Sequence, residues 1–189
     1  DMETALSYSG ISEEDINSGF RYILDSVQNI DDKVEINIAN SIWIREGLEV
    51  DQEFISQNKD VFDAYVENLD FSENKSAEII NKWIKKATNG IIPKMIDSIS
   101  QDVVMYLINA IYFNGEWTDE FDPELTYSTK FKGINDRVVD IEMMNRTGEI
   151  DYWENDIYQV VRLPYGEEKV SMYCILPREN QEINEVIEA

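Results

Sequence analysis

From residue 12 onward, apolar side chains recur at the spacing of a helix face: Ile16, Phe20, Ile23, Leu24 and Val27 form one stripe. Ser12 stands before Glu13, Glu14 and Asp15, a capping-box pattern that places acids where a helix N-terminus favours them. Residues 1–10 are a polar lead-in, and 29–33 form a turn. The period then changes to two. Val34, Ile36, Ile38, Ile42 and Ile44 alternate with Glu35, Asn37, Ala39, Ser41 and Trp43, which predicts a long strand buried mostly on one face. Gly47 ends it. Asp51 caps a short helix carrying Phe54, Ile55, Val61 and Phe62, with Val50 as its staple. Residues 65–71 predict a short strand and 72–75 a turn. Residues 76–88 predict an amphipathic helix on Ile79, Ile80, Trp83, Ile84 and Ala87, stopped by Asn89-Gly90 with Pro93 beyond.

The most apolar segment is 103–113, Val-Val-Met-Tyr-Leu-Ile-Asn-Ala-Ile-Tyr-Phe. Its β-branched and aromatic content predicts a strand covered on both faces. Asn114-Gly115 turns the chain into an irregular stretch that holds Trp117, Phe121 and Pro123 and runs to Asp136. Short strands come next at 138–144, 149–153, 157–163 and 170–176, punctuated by Gly148, Asn155-Asp156, Gly166 and Pro177. Residues 184–188 look like the first turn of a further helix. Helices come early, strands dominate later and there is no βαβ alternation, so the class is α+β. No linker or repeat divides the chain, and residues 1–189 are read as one domain with no internal boundary.

Composition narrows the function. There are 39 acidic and 16 basic residues, a net charge of −23. Phosphate backbones and anionic membrane surfaces both require clustered cations, so nucleic acid and membrane partners are disfavoured. The absence of histidine excludes Ser-His-Asp, Cys-His and His-metal chemistry. The lone Cys174, between Tyr173 and Ile175, is expected in the core. No metal site and no cofactor motif is predicted. The sequons Asn74-Lys75-Ser76 and Asn145-Arg146-Thr147 are short enough to arise by chance, and the four tryptophans fit core or seam positions. So many acids always offer some carboxylate pair at ~5–9 Å, which leaves a hydrolase formally open, but solvated surface carboxylates are the plainer account. Asn109 stands apart. An unpartnered buried amide costs ~1–3 kcal/mol, so an asparagine inside an apolar strand needs either a structural hydrogen bond or a polar role in a sheet that opens.

Several segments together resemble one family. Residues 107–117, Leu-Ile-Asn-Ala-Ile-Tyr-Phe-Asn-Gly-Glu-Trp, then Phe121-Asp122-Pro123, Thr129 and Phe131, are similar to serpin strand 3 of sheet A and the passage towards sheet C. Met143-Met144 before Arg146-Thr147-Gly148 resembles another serpin segment, with Glu142 where proline is usual. Leu163-Pro164-Tyr165, Ser171-Met172 and Ile175-Leu176-Pro177 resemble the sheet B hairpin. Ala39-Asn40-Ser41-Ile42-Trp43 resembles strand 2A, and Ile80-Asn81-Lys82-Trp83 with Thr88-Asn89-Gly90-Ile91-Ile92 resembles helix F and its exit.

The resemblance implies the middle of a serpin, from helix D to helix G: the central part of sheet A with helices D, E and F, and parts of sheets B and C. It implies inhibition of a serine protease by trapping, in which a cleaved reactive-centre loop inserts into sheet A. That loop, and with it the reactive centre, lies outside these residues. It implies no enzymatic activity. A non-inhibitory binding or chaperone member, or an inactive truncated product, is the alternative. By resemblance Asn109 is the shutter asparagine, Trp117 the breach tryptophan, and Asn81 lies on helix F over sheet A. The helix D region holds Glu13, Glu14, Asp15, Asp25, Asp31 and Asp32 against Arg21 and Lys33, which excludes heparin by that route. The family suggests an extracellular or cell-surface protein; the opening Asp1-Met2-Glu3 is not a signal peptide, and a cytoplasmic location stays open. Strands without their partners imply self-association through sheet edges, or a second serpin polypeptide that completes them.

Overall fold

The computed structural model describes residues 2–133, 137–179 and 181–188, so the last three positions of the irregular stretch lie outside the described residues. The chain order is α1 (Met2–Ala5), α2 (Glu13–Gln28), β1 (Val34–Arg45), α3 (Gln52–Phe62), β2 (Tyr65–Leu69), α4 (Asn74–Ala87), β3 (Met105–Gly115), a 3-10 turn (Pro123–Leu125), β4 (Tyr127–Lys132), β5 (Val138–Met143), β6 (Asp151–Glu154), β7 (Tyr158–Tyr165), β8 (Val170–Pro177) and α5 (Ile183–Glu188). Two compact units result. One comprises residues up to 30 together with 35–114, the other 31–34 together with 115 onward.

The first unit is built on a three-stranded sheet in the order β2-β1-β3. β1 and β2 run parallel, with Trp43 opposite Glu67 and Arg45 opposite Leu69. The Arg45 N–H donates to the Val104 carbonyl at 3.0 Å, and the Asn109 side chain donates to Asn40 at 2.9 Å. As β1 advances from 40 to 45 its partners recede from 109 to 104, so β1 and β3 are antiparallel. The Arg45 guanidinium also donates to the carbonyls of Gln101 and Val103, holding the entry to β3.

One helix packs on each face of this sheet. α4 lays Ala77, Ile80, Ile84 and Ala87 on one face, where Ile80 and Ile84 pack with Trp43, Leu69, Phe71, Ile96 and Ile108. On the other face Phe54 and Ile55 of α3 pack against Ile42, Ile44, Ala64 and Met105. The expectation of one-sided burial for β1 therefore fails at its C-terminal end. Ser41, Ile42, Trp43 and Ile44 are all buried, because the central strand lies between two helices.

β3 departs from expectation in the opposite sense. Ile108 is buried against α4 and Ala110 is buried too, but Leu107 (65%) and Ile111 (62%), at the alternate positions, are exposed. An eleven-residue helix is only ~16 Å long, and α3 reaches Met105 without covering the strand beyond it. The strand is thus covered on one face and not on both among the described residues. α2 is likewise incompletely covered. Its Ser12 cap accepts from the Asp15 N–H at 3.1 Å, and Phe20 packs on Phe62 of α3, but Ile23 is exposed.

The second unit holds an antiparallel pair, β4-β5, and an antiparallel sheet, β6-β7-β8. β4 falls in the stretch expected to be irregular; its Tyr-Ser-Thr-Lys-Phe-Lys alternation is weak, and pairing with Val138–Met143 is what makes it a strand. Val34 is the only buried apolar residue of this unit among the described residues. Cys174 is exposed, contrary to the core position expected of it. It lies on β8, the outer strand of its sheet, whose Tyr173 and Ile175 are also exposed, so neither face there is covered. Within the polar lead-in of residues 1–10 lies one helical turn, α1.

Candidate functional site

Three polar or aromatic groups were singled out from the sequence, and each is held by a different device. Asn109 lies mid-way along β3, hydrogen-bonded as expected. It is solvent-exposed, however, and its strand is the outer one of the described sheet rather than a central one. The physical reason is that no further strand among the described residues flanks β3, and α3 does not cover its face beyond Met105. The Asn109 amide donates to Asn40 Oδ1 at 2.9 Å, and the Asn40 amide donates to the Phe62 carbonyl at 2.9 Å. These two side chains link β3, β1 and the end of α3 beside a cleft of about 300 Å³ lined by Asn58, Phe62, Leu107 and Ile108.

Asn40 stands in the stretch that resembles strand 2A, but no side-chain role was expected of it. The signal for it is the gap it makes in the apolar set Ile36, Ile38, Ile42, Ile44, where an asparagine takes the place of the expected aliphatic side chain. Two asparagines that each interrupt an apolar alternation on neighbouring strands are a pair in search of one another.

Asn81 is buried on the same face of α4 as Ile80 and Ile84. Its hydrogen bonds go to the segment after the helix. Oδ1 accepts from the N–H groups of Met95 at 2.8 Å and Ile96 at 2.9 Å, and Nδ2 donates to the Ile96 carbonyl at 2.6 Å. One amide side chain thus supplies three bonds to a stretch that has no helix or strand partners of its own. Thr88 continues the same fastening: its hydroxyl donates to the Ile84 carbonyl at 2.9 Å and accepts from the Ile92 N–H at 3.1 Å.

In the second unit, Trp117 stacks on Tyr165 of β7, with ring centroids 4.2 Å apart and 16° between planes. Phe121 meets the same indole edge-on at 5.8 Å. The backbone around it is tied to the end of β7. The Thr118 N–H donates to the Pro164 carbonyl at 3.0 Å, and the Gly166 N–H donates to the Glu116 carbonyl at 2.8 Å. Beneath this turn Asp31 is buried and accepts from the N–H groups of Lys33 at 2.9 Å and Glu167 at 2.7 Å. The Lys33 bond, then the Glu167 bond and the nearby Lys169, hold its carboxyl below the usual aspartate range, against the opposing effect of burial. Gly166 has φ +50, and a Cβ there would lie 2.5 Å from Asp31 Oδ1.

None of these groups forms a catalytic constellation. No cluster of three or more His, Cys, Asp or Glu side chains suited to a metal occurs among the described residues. What the first unit offers is a recipient surface: a strand that pairs with no other strand on one edge among the described residues and has an exposed apolar face, joined to its neighbour by an asparagine pair.

Comparison with known proteins gives this geometry a context. The family model described as "Serpin (serine protease inhibitor)" matches residues 1–189, both units included. Antichymotrypsin-2 of Bombyx mori is 34% identical over 161 residues, covering 82% of this chain and 43% of that protein. Human neuroserpin is 31% identical over 190 residues, covering 95% of this chain and 46% of that protein. The crystal structure of the thermophilic serpin tengpin in its latent state superposes with a TM-score of 0.85 at 31% identity, covering 100% of this chain and 50% of that one. The chain spans about half the length of the curated relatives it matches.

Proposed function

The chain belongs to the serpin family, and on that premise we propose that the serpin domain to which these residues contribute inhibits a serine protease by trapping it. Members of this family are in general protease inhibitors rather than enzymes, directed at serine proteases. Many act outside cells, and others are intracellular or archaeal. No described helix is long and apolar enough to cross a membrane.

The observation that carries the reading is β3. Its eleven residues are mostly apolar, and on one edge it pairs with no strand among the described residues. Such an edge accepts an extended segment through main-chain hydrogen bonds, and serpin loop insertion is itself a standard example of strand addition. In this reading residues 1–189 are an incomplete serpin domain that holds the receiving sheet. Asn109, through Asn40, sets the shutter where β3 must part from what lies beside it. Trp117 serves the breach, two residues beyond the end of β3. Asn81 fastens the helix that lies over the sheet to the segment that leaves it. The reactive loop is not among these residues, and the acids of α2 leave no heparin site there.

The test is covalent trapping. This chain alone, incubated with trypsin-, chymotrypsin- and subtilisin-like proteases, should give no higher-mass adduct on denaturing gels. The complete domain, with its reactive loop, should give one with at least one of these proteases. Cleavage of the loop without any adduct across the panel would overturn the inhibitory reading.

A further inference from the structure

The first unit has a second surface feature, on the face opposite Asn109 and with no part in the proposed trapping. A cleft of about 840 Å³ opens where α4 meets β1 and β2. Its apolar wall is aromatic. Trp43 lies at its base, 1% exposed, with Trp83 edge-on at 6.2 Å and Tyr65 tilted at 5.4 Å. The Trp43 indole N–H is already committed to Ser41 Oγ at 2.8 Å, so this ring is fixed and lends the cleft only its apolar edge. Tyr65 and Glu67, two apart on a strand, present to the same side, and the Tyr65 hydroxyl donates to Glu67 Oε2 at 2.5 Å.

The rim is cationic. Lys82, Lys85 and Lys86 all line the cleft. Lys82 and Lys86 come three and seven residues after Ile79, the spacing that keeps side chains on one helix face. None of the three lysines has a carboxylate within ion-pairing distance among the described residues, although the chain carries 39 acids. Lysines in a last turn ordinarily answer the helix dipole and its open carbonyls. Here the backbone already does so: Thr88, Asn89 and Gly90 donate to the carbonyls of Ile84, Lys86 and Lys85. Glu67 is the one acid lining the cleft, and its carboxylate is engaged by Tyr65, so the cleft is net positive on a molecule of net charge −23.

We propose that this cleft binds a small organic anion, an aromatic body bearing a carboxylate or sulfonate, with its rings against Trp83 and Tyr65 and its charge among Lys82, Lys85 and Lys86. The aromatic wall selects a planar apolar body and the lysine rim selects the charge. A purely apolar ligand leaves the ammonium groups unused, and a cation is repelled by them.

The probe is 8-anilinonaphthalene-1-sulfonate, with N-phenyl-1-naphthylamine as its uncharged counterpart. The chain exposes other apolar surface, so the readout must report position. The indole N–H resonances of the four tryptophans serve, with Trp83 assigned through Trp83→Phe. The sulfonate should shift the Trp83 resonance saturably. Combining Lys82→Ala, Lys85→Ala and Lys86→Ala, all at exposed positions, should weaken its binding about tenfold. Raising salt from about 0.05 to about 0.5 M should weaken it in the parent chain and much less in the triple variant. The uncharged probe should bind parent and triple variant alike. A rise in dye fluorescence with no movement of the Trp83 signal would overturn the proposal, as would a triple variant that binds the sulfonate unchanged.

Discussion

Replacing Asn81 by alanine tests how the segment after α4 is held. The side chain is 9% exposed and makes hydrogen bonds of 2.6, 2.8 and 2.9 Å to the backbone of Ile96 and Met95. Alanine is the better helix former by ~0.5 kcal/mol, which favours the variant slightly. Against that, the Ile96 N–H and carbonyl lose their partner in a buried place, at ~1–3 kcal/mol each when left unsatisfied. The Met95 N–H is half-buried and regains part of its bonding from water, so its loss adds ~0.5 kcal/mol. Taking the middle of these ranges and allowing for relaxation, Asn81→Ala should destabilise the first unit by ~3 kcal/mol. For a chain of 189 residues that lowers Tm by ~6–12 °C. Thermal unfolding monitored by circular dichroism measures the shift, and amide exchange gives the local reading: the Met95 and Ile96 N–H groups should exchange faster than those of α4. A Tm within ~2 °C of the parent, with exchange at Met95 and Ile96 unchanged, would show that the three bonds do not hold this segment.

Four further outcomes are expected. In a double-mutant cycle, Asn40→Ala and Asn109→Ala should couple by ~0.5–1 kcal/mol in denaturant unfolding, since one exposed amide bond joins them; strict additivity would remove the link between the strands. Gly166→Ala should destabilise the turn after β7 by ~1–3 kcal/mol, read as lost protection of the Thr118 and Glu167 N–H groups, because φ +50 and the Asp31 carboxylate both reject a Cβ. Asp31 has a folded-state pKa below its unfolded value, so its contribution is present above the ordinary aspartate range and is lost as pH falls through the depressed folded value; Asp31→Asn should flatten acid unfolding below about pH 4, and an unchanged acid limb would refute this. Finally, the exposed face of β3 and the bare β8 should drive self-association that light scattering detects, more strongly at high salt where the net charge of −23 is screened; a monodisperse, cooperatively melting monomer at both low and high salt would contradict it.

Much of the secondary structure was legible in the sequence because it depends on neighbours within a few residues. Ser12 and Asp51 cap the helices they were expected to cap, each accepting a backbone N–H. The change from a period near 3.6 to a period of two located β1. The strand over 103–113 appeared as β3, displaced by two residues. Asn109 stood out for a local reason too, as a polar side chain in an apolar run. The motifs from 107 to 117 carried the family resemblance without any knowledge of contacts.

What the sequence could not decide is which faces are covered, and by what. Periodicity groups side chains onto a face, but burial depends on whether an element distant in the chain reaches that face. α3 and α4 enclose Ser41 to Ile44 from both sides, so a strand patterned for one-sided burial is buried on two. The same α3 leaves Leu107 and Ile111 uncovered, so a run apolar enough for a buried strand has an exposed face. Cys174 has apolar neighbours in sequence and lies in the open because neither face of β8 is covered there among the described residues. Asn109 acquires its meaning from Asn40, 69 residues earlier, and Asn81 from Met95 and Ile96 across a loop. Local pattern determines what an element is; the reach of its partners determines what it touches, and that is set only when the chain has folded.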